Sequence, residues 1–555
     1  MLKTIALLSL VLALPSGPVS ALPAQKLVYP GDWIYDALTA LSMEQKKVFL
    51  NGSALTVAQV ELILAEIDGS PLSASGEALL DEVYAWLEGS VALSRKLGPV
   101  AVDFDPALQI EGYAKSNKDL DWVYGPNDRL PFLSLPVSFS MASYVTLQAD
   151  ISLGENRMLG EAHDNYTNFP FDKFMDDVQN IDTNIPKRAY LSAGFPIRQT
   201  MGINFRLGIG DDAFGRSETG SVILSDNMRG VSYASLEFYS PYIKYSADVM
   251  ELEVTKYLYL HHLQINIARR LSLALVEGVM VNAPFEIRFL NPAMIYHSFT
   301  AWKSYADYNE QIADDNDAYI KSHPTNSRIG SLLGIGLDFR PWRHGRFYGL
   351  VAMNQLEIGS ERSASSTVPD GLAFQAGYES FLPASAGGYW NFGVEGVYTY
   401  PYMYILAHKN WSFYRESLEV STRREDPIRE WTGSPFGPDS VALTVWTGYR
   451  TRRWSAAGSF LFLAQGENAS TDVFDRPNRG YYPSSNGEAT ALTPSGQPAL
   501  TYLVKFEGTW TPRDWLSVAL MPAVKVVRTG GDTEAGFELV LSARISPKFP
   551  PKPKP

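Results

Sequence analysis

The sequence predicts a mainly β protein: a large antiparallel transmembrane β-barrel of about 14–18 strands, with about 18 the best fit, preceded by a small N-terminal helical region. Three observations point there. From about residue 104 to the C-terminus, apolar and polar residues alternate with period two in strand-length segments. Connections between those segments alternate between very short and very long. An apolar leader opens the chain, and no later apolar run is long enough for a membrane helix, so a membrane-embedded form has to cross with strands.

In the leader, Lys3 precedes the apolar run Ile5–Leu14, and small residues lead to Val19-Ser20-Ala21 or Leu22-Pro23-Ala24. Residues 1–24 therefore read as a secretory signal peptide. There is no cysteine, so export to an oxidising compartment brings no disulfide staples and stability must come from packing or hydrogen-bonded closure. The 30 Tyr, 12 Trp and 43 Gly suit a barrel and equally a secreted sugar-binding or sugar-cleaving protein. A net charge of -13 argues against a nucleic-acid partner, which needs a basic footprint.

Residues 27–95 carry helical period. Asp32 is placed to cap a helix with Ile34, Ala37, Leu38 and Leu41 on one stripe. Thr56 and Gln59 have capping-box spacing ahead of Val60, Ile63, Leu64 and Ile67, and a third stripe, Leu79, Leu80, Val83, Trp86 and Leu87, ends at Gly89. Helices this short need a partner for their apolar faces. The expectation is a periplasmic bundle or plug-like region at the barrel mouth.

The barrel is expected over 104–549, followed by a Pro/Lys tail, 550–555, that cannot join a ladder. In Ile329–Arg340 one face has Ile335, Leu337 and Phe339 and the other Gly336, Asp338 and Arg340; Pro341–Gly345 then turns the chain. Thr501–Thr511 and Ala535–Ile545 repeat the design, and Pro512–Asp514 is another tight turn. Polar connections such as 296–327 and 466–497 are long, as on the extracellular side of outer-membrane barrels. Tyr398, Tyr400, Tyr402 and Tyr404 are placed as a headgroup girdle. A periplasmic β-sandwich or propeller also alternates, but has no reason for the unequal connections.

Met201–Gly210, "MGINFRLGIG", alternates as a strand, so its glycines do not form a phosphate loop, and "GRSETG" lacks the Gly-x-Ser-x-Gly spacing of an acyl-transfer elbow. The run "GINFRLGIGDDAFGRSETGSVILSDNMRGVSYASLEF", with "LYLHHLQINIARRLSLALVEGVMV" and "FEIRFLNPAMIYHSF", resembles the Wzi-like capsule assembly family of outer-membrane barrels. The resemblance covers roughly residues 190–310, and His261-His262 stands where many relatives have His-Arg. It implies a barrel paired with periplasmic helices and a role in holding surface polysaccharide.

A charged lumen network, or a saccharide contact, is expected from Arg206, Asp211, Asp212, Arg216, Asp226 and Arg229, with Arg269, Arg270, Glu277 and Arg288. Inward salt bridges that rigidify the barrel explain the same residues. Asn291-Pro292 reads as a strand end. In the long loop 466–497, Asp475, Arg476, Arg479, Tyr481 and Tyr482 are candidate glycan contacts, a composition that also fits a solvated loop.

Catalysis is not indicated. Asp176-Asp177 and Asp314-Asp315 are not placed by strands, and alternation sends His261 and His262 to opposite faces. No metal or cofactor motif is present, and "DDNDAY" at 314–319 lacks the Gly and Glu of a calcium loop. The leading reading is a non-enzymatic, monomeric barrel in the outer membrane of a diderm bacterium, with surface polysaccharide or lipopolysaccharide and outer-membrane lipid as partners. The alternatives are a porin for small polar solutes, a secreted or periplasmic glycan-active enzyme, and an adhesive surface protein.

Overall fold

The computed structural model describes residues 22–50, 53–67, 71–89, 92–125, 128–153, 166–168, 188–198, 200–228, 230–296, 329–356, 366–384, 388–420, 425–476 and 481–547. Most of the leader, the Pro/Lys tail, the acidic pairs at 176 and 314, Arg229 and Arg479 lie outside them.

Eighteen strands close one antiparallel barrel. In chain order they are β1 (Val100–Phe104 continued by Ala107–Lys115), β2 (Leu133–Met141), β3 (Val145–Leu153), β4 (Ala189–Arg198), β5 (Met201–Gly210) and β6 (Val231–Tyr239). Next come β7 (Ile243–Glu253), β8 (Lys256–Ala268), β9 (Leu271–Asn282), β10 (Ile329–Phe339), β11 (Gly345–Gln355) and β12 (Gly371–Pro383). The last are β13 (Tyr389–Thr399), β14 (Ser440–Arg450), β15 (Trp454–Gln465), β16 (Ala499–Arg513), β17 (Leu516–Thr529) and β18 (Asp532–Ile545).

The two pieces of β1 share one register on β2, with Phe104 opposite Val137 and Ala107 opposite Ser134. The interruption is Asp105-Pro106, where Pro has no N–H for the ladder. The second piece pairs with β18, Leu108 opposite Ile545, and closes the barrel. The strand Leu93–Leu97 pairs beside the first piece, so the helical stretch stops at Leu87 and strand structure begins before residue 104.

Alternation sorts the side chains as the sequence predicts. Ile203, Phe205 and Leu207 on β5, Ile335 and Leu337 on β10, Val504 and Phe506 on β16 and Phe537 and Leu541 on β18 all point outward and are exposed, while Asn204 and Arg206 point inward and are buried. A water-soluble sheet would cover those apolar faces. An exposed belt around a closed polar-lined cylinder is the surface of a lipid-facing barrel. The chain is therefore a barrel of the outer-membrane type.

One end carries turns such as 142–144, 240–242, 269–270, 340–344, 451–453 and 514–515. The other carries 116–132, 211–230, 400–439 and 466–498, together with two short turns, 254–255 and 530–531, that break the strict asymmetry.

The helical region comprises α1 (Trp33–Glu44), α2 (Val57–Ile67) and α3 (Ala74–Leu87). Ile34, Leu38, Leu41, Val60, Leu64 and Val83 form its core, which extends to Phe381 and Tyr389 on the barrel wall. The capping box at α2 is reciprocal: Thr56 N donates to Gln59 Oε1 at 2.8 Å and Gln59 N to Thr56 Oγ1 at 3.3 Å. Asp32 occupies the N-cap of α1 without capping it, since its carboxylate accepts from Tyr29 N instead.

After β9 the segment 283–296 doubles back down the outer wall. Phe289, Met294 and Tyr296 pack there against the outward-facing Val249, Tyr259, Val279 and Val281, and Phe285 meets the rings of Tyr257 and Tyr259, while Ile287 and Ile295 face away from the wall. Asn291-Pro292 belongs to this outer clasp and is not a strand end, because β9 has already stopped at Asn282.

Candidate functional site

The connection 211–230 leaves β5 and turns inward, because Phe214, Val222, Ile223, Leu224 and Met228 are too apolar to remain in water. They pack on inward side chains of the wall, including Leu260, Val276, Leu332 and Leu350. Phe214 N bonds Leu224 O at 3.0 Å, and Tyr404 donates to Val222 O at 2.6 Å. Tyr404 is therefore an interior clamp and not part of a headgroup girdle. Gly215 and Gly220 bracket the tip with φ of 85° and 95°, a region that disfavours side chains.

The tip joins the helical region to the wall. Arg216 pairs with Asp36 of α1 at 2.7 Å and Glu379 of β12 at 3.0 Å, and also donates to Thr39 Oγ1. The other Glu379 oxygen takes Arg346 at 2.9 Å; Arg346 pairs with Asp338 at 2.7 Å and donates to Arg216 O at 3.0 Å. Arg340, beside Asp338, reaches Lys47 O at 2.6 Å. Glu395 accepts from Glu218 N at 2.9 Å, Thr219 N at 3.1 Å and the Tyr348 hydroxyl at 2.5 Å. A chain of charge-assisted bonds thus runs from a connection at the long-loop end to the helical region.

A second knot lies on β5 and β6. Arg206 and Glu237, 2% and 1% exposed, pair at 2.8 Å, and Lys244 sits 3.0 Å from the same carboxylate. Gln59 of α2 donates to the other Glu237 oxygen at 2.5 Å, and Arg206 Nε donates to Asn204 at 2.7 Å. Two buried cations and an amide therefore share one carboxylate.

The remaining sequence candidates divide. Asp211 pairs with Arg188 at 3.0 Å and accepts from Gly230 N, fastening the base of the inward connection, while Asp212 accepts from Ala213 N. Asp226 lines a 1160 Å³ chamber with Asn227, Arg429 and Trp431. Four candidates are not in the lumen. Glu277 lies opposite His261 on the outer face, because the parity of β9 points it outward. Arg288 belongs to the outer clasp, paired with Glu286 at 2.6 Å. Arg269 and Arg270 form the β8–β9 turn and bond the carbonyls of Gln45 and Pro341. His262 packs inside against Phe214 and His261 stacks outside on Tyr296, the opposite faces that alternation requires.

In the long loop, Arg429 binds Asp475 and holds its carboxyl below the usual range. Arg476 donates to Asn468 at 3.0 Å, Tyr481 packs edge-on against Phe474, and the Tyr482 hydroxyl donates to Gln355 at 2.6 Å. These candidates brace the loop on its neighbours. Asp36, Glu237, Glu379 and Glu395 were missed in the sequence, although the last three sit at inward positions of alternating strands and parity alone marks them.

Beside the packed elements, a chamber of 560 Å³ is bordered by Glu218, Glu379, Lys505, Glu507 and Glu538. Among the described residues no group of three His, Asp or Glu side chains is arranged to hold a metal ion.

Fold and site together define an outer-membrane-type barrel whose lumen is partly filled by its own chain. No family model matches the sequence, and no curated protein matches it. The fold resembles that of Wzi, an outer-membrane protein involved in group 1 capsule assembly in Escherichia coli and described as a carbohydrate-binding β-barrel. That likeness has a TM-score of 0.53 and 12% identity, covering 93% of this chain and 98% of Wzi. OprD of Pseudomonas aeruginosa (TM-score 0.38, 9% identity, 80% of this chain and 95% of OprD) and the outer-membrane channel DcaP of Acinetobacter baumannii (0.34, 10%, 82% and 99%) are more distant.

Proposed function

We propose that this chain is a non-catalytic outer-membrane barrel that binds or organises surface polysaccharide, with its helical region acting as a periplasmic plug. The observation that carries the reading is the Arg216 junction, which ties an inward loop to a helix and to the barrel wall and so spends the lumen on closure. A barrel that passes solutes needs a continuous water path, which this junction narrows. The shared fold with a carbohydrate-binding barrel supports the choice of ligand. Asp475, Arg476, Tyr481 and Tyr482, with Arg479 between them in sequence, belong to a long loop on the face we assign to the exterior, where aromatic faces and charged groups suit sugar rings.

The test is binding of purified protein to extracted surface polysaccharide, together with single-channel recording. Polysaccharide binding with no stable open conductance is expected; a porin-sized conductance without glycan binding would reject the reading. Detected glycan hydrolysis would reject its non-catalytic part. Arg216→Ala should raise conductance while leaving membrane insertion intact. A second reading, a channel for small polar solutes, draws on the chamber bordered by Lys505 and Glu507, and that recording decides it.

A further inference from the structure

At the short-turn rim a groove of 530 Å³ is enclosed by the β8–β9 turn, the β10–β11 turn and the residues that follow α1. Four of its side chains are cations: Lys46, Arg269, Arg270 and Arg343. Its carboxylate, Glu44, is already engaged by Ser73 N at 2.8 Å, Ser73 Oγ at 2.7 Å and the Tyr389 hydroxyl at 2.5 Å. Arg269 and Arg270 reach only carbonyls, Gln45 O at 3.1 Å and Pro341 O at 3.2 Å. Among the described residues, the side chains of Lys46 and Arg343 have no hydrogen-bond or ion-pair partner. In a chain of net charge -13, four cations have been gathered around a single carboxylate.

Depth identifies the anion. Trp342, next to Arg343, is 48% exposed and packs edge-on to the outward Phe347 at 5.5 Å, beside Tyr378. Outward Trp and Tyr at strand ends sit at headgroup level. The groove therefore lies where lipid phosphates lie.

We propose that this groove binds a phosphate group, supplied by an anionic phospholipid headgroup of the periplasmic leaflet. The source of the phosphate rests on the short turns facing the periplasm. Arginine forks and a lysine ammonium complement phosphate oxygens. Lys46 follows the plug helix, whereas the three arginines belong to barrel turns. A bound phosphate thus bridges the two, next to the bond from Val48 N to Arg269 O at 2.9 Å.

The test is native mass spectrometry of the delipidated full-length protein titrated with phosphatidylglycerol or phosphatidylcholine, with melting measured in added inorganic phosphate. Lys46→Asn, which suits the φ of 52° at that position, and Arg343→Gln each remove one cation; Arg198→Gln removes one from another part of the rim. Phosphatidylglycerol should bind more tightly than phosphatidylcholine. Lys46→Asn and Arg343→Gln should each weaken it about fivefold, and Arg198→Gln should not. If inorganic phosphate raises melting with the same sensitivity to both variants and the lipids do not compete, the phosphate site stands and its lipid source is overturned. Equal binding of both lipids by all three variants and the parent, with no effect of phosphate, overturns the proposal.

Discussion

The two sides of the barrel use the same strand pattern for opposite ends. From β5 to β13, inward side chains are buried against the helical region and the 211–230 connection, and their charges are consumed in pairs such as Arg206 with Glu237 and Arg346 with Glu379. On β16, the inward Lys505 and Glu507 remain exposed to the 560 Å³ chamber. Alternation specifies a wall; what occupies the lumen is decided by other segments of chain. The packed side needs the helical region and the inward connection to satisfy its charges, and the open side does not.

The largest test of that contrast is removal of residues 22–89. A barrel that still inserts and shifts on gels when boiled is expected, with a large steady conductance absent from the full chain. Unchanged conductance would mean that the packed side does not seal the lumen.

Next is the buried knot. Glu237→Ala strands two cations and should cost about 3–5 kcal/mol. Arg206→Ala should cost less, because Lys244 remains on the same carboxylate, and Arg206→Lys should fall between, since an ammonium cannot serve both Asn204 and Glu237 in the guanidinium's geometry. Thermal melts of the three variants check the order; equal losses would place the stability elsewhere.

A smaller effect is expected with pH. Glu218 opens on the 560 Å³ chamber, yet enclosure by the surrounding lumen wall, then the neighbouring Glu379, Glu395 and Asp36, push its carboxyl up to about 7. Its contribution to stability is full below the ordinary glutamate range and is lost as pH rises through about 7. Hydrogen exchange of the 211–230 connection should accelerate over that interval, and Glu218→Gln should flatten the profile.

The smallest effect belongs to the open side. Lys505→Gln and Glu507→Gln should change stability by less than about 0.5 kcal/mol, yet shift ion selectivity once the helical region is removed. A melt shifted as far as that of Glu237→Ala would erase the distinction between the two sides.

The wall was legible in the sequence because lipid outside and water or protein inside impose a period of two on every strand. The capping box of α2 was legible for a similar reason, since both partners lie within one turn. Lumen contacts were not: Arg216 meets Asp36 across 180 residues and Glu379 across 163, and no local pattern encodes that meeting. Glu277 was misplaced because charge density was read without following the parity of its strand. Arg288 was misplaced because a polar residue after a strand looks the same whether the chain turns toward the lumen or folds over the outside.

The outer clasp, 283–296, bears on any attempt to map or label this protein. A tag inserted between Asn291 and Ala293 would enter a stretch that lines the lipid side, where antibodies and soluble proteases do not reach. Silence from such a tag would report this detour of the chain and not a missing surface loop. Probes of the outer face belong in the long connections instead, and a photoreactive group at Ile287 or Ile295, both exposed and facing away from the wall, would mark acyl chains.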